Sequence, residues 1–300
     1  MNGHVTADKM KLLLRKQVEA ETALYRSDNA LILKHYIAEQ HKLADVEESL
    51  RYARHLHNAL LPDETQMRQL FGEAFALNLP KKTISGDFYW MTKAGGRYII
   101  ALADCTGHGI PGALMSVLGL SLLNQVVIEE RTFEPSHILR RIDYKMRLTF
   151  QHAEENNRHG YDGMDIALCT IEPGERKITF AGAMRPLYLF GKNGFNMLRP
   201  SRYPIGGLRL EQDRTYPSQE LHYENGDMLY LFSDGWSDQF GGPYDGQGGR
   251  KLTIKRLREI LGMFCHLPPA EQKEQLHEMF IFWKGAYEQT DDAMLIGLKL

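Results

Sequence analysis

Disulfide and thiolate-zinc chemistry have little to draw on in this chain. Its 300 residues hold three cysteines, Cys105, Cys169 and Cys265, far apart and never in a C-x-x-C pair. That excludes a disulfide framework or a cysteine-based structural zinc site and fits a reducing, cytoplasmic setting. An excess of one charge is also missing. With 36 Lys+Arg against 38 Asp+Glu, the formal net charge is -2, so no long-range basic field draws nucleic acid or anionic lipid, a local patch aside. No apolar run reaches transmembrane length and the start MNGHVTADKM lacks a signal-peptide profile, so a soluble chain without a membrane span is expected. Proline is absent from residues 1–61, and glycine is absent there after Gly3. Nothing in that stretch punctuates a helix.

What is there begins with an apolar seam. Leu43, Val46, Leu50, Ala53, His57 and Leu60 alternate three and four apart, the a/d spacing of a coiled coil. Ile32 and Tyr36 extend the register backwards, Glu39 interrupts it, and Pro62 ends the run. Two readings stand: a helix packed on its own domain, or a parallel dimer that transmits a signal. The domains expected are therefore a helical regulatory segment, 1–61, and a second domain, 62–300. Beyond Pro62 the pattern turns to strands, over residues 97–104, 164–171, 177–183, 187–190, 227–233 and 293–300, with a tight turn at Pro173-Gly174. Residues 113–128 are apolar nearly all round and read as a buried core helix, while 136–150 and 269–287 read as further helices. Strand runs with inserted helices indicate an α+β fold.

Acids recur where strands meet turns. Asp87 lies in Ser85-Gly86-Asp87-Phe88-Tyr89-Trp90, Asp104 precedes Gly107-His108-Gly109, Asp234 sits in Ser233-Asp234-Gly235, and Asp291-Asp292 precedes the last strand. A lone carboxylate beside apolar segments is costly to bury, and a hard cation held between several is one remedy. Oxygen-only ligands favour Mg²⁺ or Mn²⁺, and a pair of such ions about 3.5–4 Å apart clamps a phosphoryl group. Taken singly, each acid also fits a turn, a helix cap or a solvated loop. A competing pattern, Gly107-His108-Gly109-Ile110-Pro111-Gly112, is formally the dinucleotide fingerprint. It fits poorly, because Asp104, Cys105 and Thr106 separate the strand from the first glycine where a tight turn is needed. Residues and spacing lead to metal-dependent phosphoryl chemistry and no further.

The motifs carry a more specific resemblance. Ser85-Gly86-Asp87-Phe88-Tyr89-Trp90 resembles the S-G-D-[FW]-[YF] motif of the SpoIIE-like branch of the metal-dependent protein phosphatases (PPM, type 2C-like). The segment from Asp104 through Gly107-His108-Gly109 to Ala113 resembles its D-x-x-G-H-G-x-x-[AG]-A motif. Asn58-Ala59-Leu60-Leu61-Pro62, Ala181-Gly182-Ala183-Met184-Arg185-Pro186-Leu187, Pro204-Ile205-Gly206-Gly207, Gly226-Asp227, Ser233-Asp234-Gly235 and Asp291-Asp292-Ala293 match in order, from about residue 56 to 300.

The resemblance implies a sandwich of two antiparallel β-sheets flanked by α-helices, with two Mn²⁺ or Mg²⁺ ions in a cleft at one end. It implies that Asp104 bridges the ions, Cys105 adds its backbone carbonyl, Asp234 and Asp291 hold one ion, and Asp87 supports the other, with Asp292 behind them. Metal-activated hydroxide would attack phosphoserine or phosphothreonine in line. His108 is the candidate acid for the leaving serine oxygen, with a helix-capping or carboxylate-orienting role as the alternative. Arg185 is a candidate phosphate or partner contact, with a surface ion pair as the alternative. His152 and His159 flank a polar stretch read as a loop, and the segment from Gly160 to Asp165 is read as lining the cleft. The implied partner is a phosphorylated, STAS-like anti-sigma-factor antagonist in a bacterial partner-switching pathway, and the implied assembly is a homodimer through the N-terminal helix. A two-metal nucleotide cyclase and a non-catalytic phosphatase-like binding module are the rival classes.

Overall fold

A computed structural model describes residues 3–151, 162–207, 214–242 and 249–300. His152, His159, Gly160 and Tyr161 lie outside the described residues. The chain divides into two units, Met1–Ala53 and Arg54–Leu300. Helix α1, Gly3–Leu60, accounts for the first and lends its last turns to the second. Within the first unit, Ile32, Tyr36, Leu43 and Val46 are each more than half exposed. A helix with bare apolar positions is not held by packing of its own.

The second unit is a four-layer sandwich. One sheet runs β1 (Ala74–Leu79), β13 (Ala293–Lys299), β10 (Met228–Phe232), β6 (Leu187–Gly191), β7 (Gly194–Leu198). The other runs β2 (Phe88–Ala94), β3 (Arg97–Cys105), β4 (Gly163–Glu172), β5 (Lys177–Ala183), β9 (Gln219–His222), with β8 (Ile205–Gly206) joined to the start of β4. Among the described residues, every pairing between the strands of both sheets is antiparallel. Both faces of each sheet are buried, so its central strands are apolar throughout rather than alternating. Their two parities serve different cores. Ile100 and Leu102 face the core between the sheets, with Leu229, Leu231, Met294 and Ile296 opposite. Ile99, Ala101, Ala103 and Cys105 face α3 (Ile110–Leu123) and α4 (Pro135–Gln151). On the far side, α6 (Ile254–Phe264) and α7 (Pro269–Lys284) cover the first sheet through Leu257, Leu261, Leu276 and Phe280.

Two expectations need correcting around α3. The stretch Ile110–Glu129, α3 plus one π-helical turn, is long and apolar enough to cross a membrane by length and composition, where none was expected. It packs against β2, β3, β4 and α4 as a core helix. It is not buried all round either. Ile110, Leu114 and Val117 form an exposed stripe, with Leu114 67% exposed. Composition alone does not separate a helix with one apolar face turned to solvent from one sunk in a core. His57, placed on the coiled-coil seam by spacing, is instead buried within the second unit, its Nε2 2.7 Å from Ser116 Oγ on α3.

Candidate metal centre and active site

Strand parity brings the acids together. Residues on β3 that face between the sheets are Ile100 and Leu102, and the next in phase is Asp104. On β4 they are Ile171, Cys169 and Ala167, and the next is Asp165. Asp104 and Asp165 are register partners on adjacent strands. The same alternation runs off the end of β2 from Tyr89 to Asp87, off β10 from Leu231 to Ser233, and off β13 from Met294 to Asp292. The inter-sheet core thus ends in a layer of carboxylates, because period-two geometry continues the apolar column into the turns.

Backbone groups fix two of these side chains. Asp292, buried, accepts from the amides of Lys81 (2.7 Å) and Gly86 (2.8 Å) through its two oxygens. It ties the loop before Asp87 to the start of β13. The approach is close enough to need glycine: a Cβ on Gly235 would overlap the Asp292 carbonyl, and one on Gly112 would overlap the Gly107 carbonyl. The Gly107 and Cys105 carbonyl oxygens crowd Gly86, 2.9 and 3.4 Å from where its Cβ would stand. Asp291 accepts from the Asp292 amide at 2.8 Å and is otherwise exposed.

One arginine reaches the middle of this layer. Arg185 Nη2 donates to Asp165 Oδ2 (2.8 Å) and Asp234 Oδ2 (2.6 Å), and lies 3.1 Å from Asp104 Oδ2. Its side chain is 13% exposed, so the expectation of a surface ion pair is corrected: this is a nearly buried cation among acids. A tight turn aims it there. Met184 holds φ +65°, a left-handed backbone unusual for a non-glycine residue, while its amide bonds Ser201 and the Arg185 amide bonds Ala183.

The electrostatics show too much negative charge for one guanidinium. Burial, opposed by Arg185 and reinforced by Asp234, Asp165 and Asp291, pushes Asp104 up to about 7. Burial, then the Asp104 charge, pushes Asp87 well above the usual carboxylate range, and Asp87 Oδ2 is buried with no partner. Asp165 is raised, chiefly by burial. An orphaned buried carboxylate oxygen beside further carboxylates fits a hard divalent cation, which such oxygens prefer. Among the described residues no three such side chains are disposed as a ready-made metal cage; Arg185 Nη2 fills the space that Asp104, Asp165 and Asp234 share.

The sequence-derived residues fall into place unevenly. Asp87, Asp104 and Asp234 converge, and Asp291 borders them within electrostatic reach of Asp104. The Cys105 side chain points into the helix-side core and burial pushes its thiol well up, so only its backbone carbonyl is on offer to the site. His108 stands in the turn after Asp104 with Nδ1 buried and unpartnered. From sequence, Asp165 stands out only as part of a cleft-lining segment. Its distance of two residues from inward-facing Ala167 is the signal that marks it.

The fold and this acid-ended sandwich define a PP2C-type phosphatase domain. Comparison with known proteins agrees. The family model for Stage II sporulation protein E (SpoIIE) matches residues 94–300, and the chain belongs to that family. It is 27% identical over 201 residues to phosphoserine phosphatase RsbU of Bacillus subtilis (strain 168), covering 64% of this chain and 54% of RsbU. To phosphoserine phosphatase RsbP of the same organism it is 25% identical over 216 residues, covering 71% and 48%. The chain therefore spans about half the length of these curated relatives. The solved SiaA-PP2C domain of Pseudomonas aeruginosa superposes with a TM-score of 0.76 at 28% identity, covering 86% of this chain and 98% of that one.

Proposed function

We propose that the chain is a protein phosphatase that hydrolyses phosphoserine or phosphothreonine on a partner protein with the aid of two Mn²⁺ or Mg²⁺ ions. The observation that carries this is the convergence of Asp87, Asp104, Asp165 and Asp234 at one end of the sandwich, with Asp87 Oδ2 buried and unpartnered. Asp104 would bridge the ions, Asp234 and Asp291 would hold one, and Asp87 with the Cys105 carbonyl would serve the other. When bound, such ions screen the phosphoryl charge and lower the pKa of a coordinated water towards neutrality.

The remaining steps belong to the chain. Asp292 keeps the Gly86–Asp87 backbone in place through two amide donors. The layer of inward apolar residues beneath Asp104 and Asp165 keeps the floor of the site dry and strengthens charge interactions above it. His108, in the turn after Asp104, is the proposed donor of a proton to the departing serine oxygen.

Both curated relatives are named phosphoserine phosphatases, which supports the same bond as the target here. A phosphorylated STAS-like anti-sigma-factor antagonist is the proposed substrate, and the cytoplasm its place. The exposed seam Leu43 and Val46 of α1 supports a homodimer through that helix. The test is release of inorganic phosphate from phosphoserine proteins in Mn²⁺, run beside nucleoside triphosphates. Phosphate release from the proteins alone is the expected result. Conversion of a triphosphate to cyclic nucleotide and pyrophosphate, with no phosphate released from the proteins, would overturn the assignment in favour of a cyclase.

A further inference from the structure

The acid layer already contains a cation, and it is part of the chain. Arg185 usually would be expected to grip carboxylates with its fork, two nitrogens to two oxygens. Here a single nitrogen, Nη2, serves Asp165 and Asp234 by hydrogen bonds and Asp104 by charge. Nη2 carries two hydrogens, so both are used and the third carboxylate receives only electrostatic attraction. Meanwhile Nε is buried with no partner. The guanidinium is thus presented end-on, as a point charge between three acids, in the manner of a bound ion. The left-handed backbone at Met184 and the contacts of its turn to Ser201 and Ala183 hold it in that direction. A divalent cation bound to these same oxygens, which lie 2.6–3.1 Å from Nη2, would stand close to the guanidinium and be repelled by it.

We propose that Arg185 is the site's built-in counter-cation: it competes with divalent metal for Asp165, Asp234 and Asp104, and metal loading requires its guanidinium to leave them. This deepens the metal-dependent reading of the site and rests on it. Arg185 then has a place to go, because a guanidinium released beside the acid layer is positioned for the doubly charged phosphoryl group of the substrate.

The experiment is calorimetric titration of Mn²⁺ into the full chain stripped of metal, as wild type, Arg185→Gln and Arg185→Lys. Loss of the competing charge in Arg185→Gln should tighten Mn²⁺ binding about tenfold or more, the size of effect one close charge has on another ionic equilibrium. Arg185→Lys, which keeps the charge, should remain within about threefold of wild type. Equal or weaker binding by Arg185→Gln, with wild type binding normally, overturns the competition and leaves the metal reading standing. Absence of Mn²⁺ binding by all three chains overturns both. A second readout needs no folded Arg185→Gln: the Nε–H nuclear magnetic resonance of Arg185, assigned by its loss in Arg185→Lys, should shift when Mg²⁺ saturates the wild type. A signal unmoved by saturating Mg²⁺ contradicts the proposal.

Discussion

Asp104 and Asp165 face each other across β3 and β4 as register partners, and both reach the same nitrogen of Arg185, at 3.1 and 2.8 Å. Two acids side by side on neighbouring strands repel unless something positive lies between them. This pair therefore marks where the sandwich gives up stability for a charged site.

Acidification should stabilise the chain when metal is withheld. Asp104 titrates near 7 in the folded protein against 3.8 for the free side chain, burial being the main cause. The folded state holds more protons between those values, so stability is greatest below them and falls as pH rises towards 7. With chelator present, the Asp104-dependent part of the unfolding free energy, taken as wild type minus Asp104→Asn in urea unfolding, should fall from pH 5 to pH 7 and level off above it. Its slope is at most about 1.4 kcal/mol per pH unit. A difference that rises over the same interval would contradict the assignment.

His57 should behave in the opposite sense. Ser116 uses its own proton on the Ala113 carbonyl (2.8 Å), so His57 Nε2 donates to Ser116. Burial, partly offset by Asp292, lowers its pKa below 6.5. Its contribution is present above pH 6.5 and is lost as pH falls through that region, where the unfolded state takes the proton. His57→Ala should cost about 1 kcal/mol at pH 8 in chemical unfolding, and the gap to wild type should narrow by pH 5.5.

Gly235 allows the backbone after Asp234 to lie against Asp292. Gly235→Ala would drive a methyl into the Asp292 carbonyl, with a loss of about 2–3 kcal/mol or more in urea unfolding. An unchanged midpoint would mean that this turn can relax, and that the acids are less rigidly placed than the geometry indicates.

Removing residues 1–53 should leave the second unit folded, since His57 and its contact to Ser116 remain. Light scattering should then report a dimer for the full chain and a monomer for the truncated one. A monomeric full chain, or a truncated dimer, contradicts dimerisation through α1.

Six strands, β3, β4, β5, β6, β10 and β13, were legible in the sequence because their apolar runs are bounded by turn residues. β5 was read at its observed bounds, Lys177–Ala183. β1 was not read, since Ala74–Leu79 sits beside α2 (Glu64–Phe71) with only Gly72 and Glu73 to separate them. Asp87, Asp104 and Asp234 were visible as acids at strand ends, because that placement is unusual for a carboxylate. Asp165 was hidden within a strand, where its role depends on the register of β4 against β3. The position of Arg185 depends on the left-handed turn at Met184 and on two sheets meeting, neither of which spacing along the chain records. His57 misled for a related reason: its heptad position is real, but the same face of α1 meets α3 at that turn.

The most direct measurement is the rate of phosphate release from a phosphoserine protein in Mn²⁺ for wild type, Asp104→Asn and Asp234→Asn, each with folding verified. If these carboxylates hold the ions that act on the phosphoryl group, each substitution removes several kcal/mol of transition-state stabilisation, a fall of about a thousandfold in kcat. Either variant retaining activity within about tenfold of wild type, or wild type working equally well in chelator, would contradict the account.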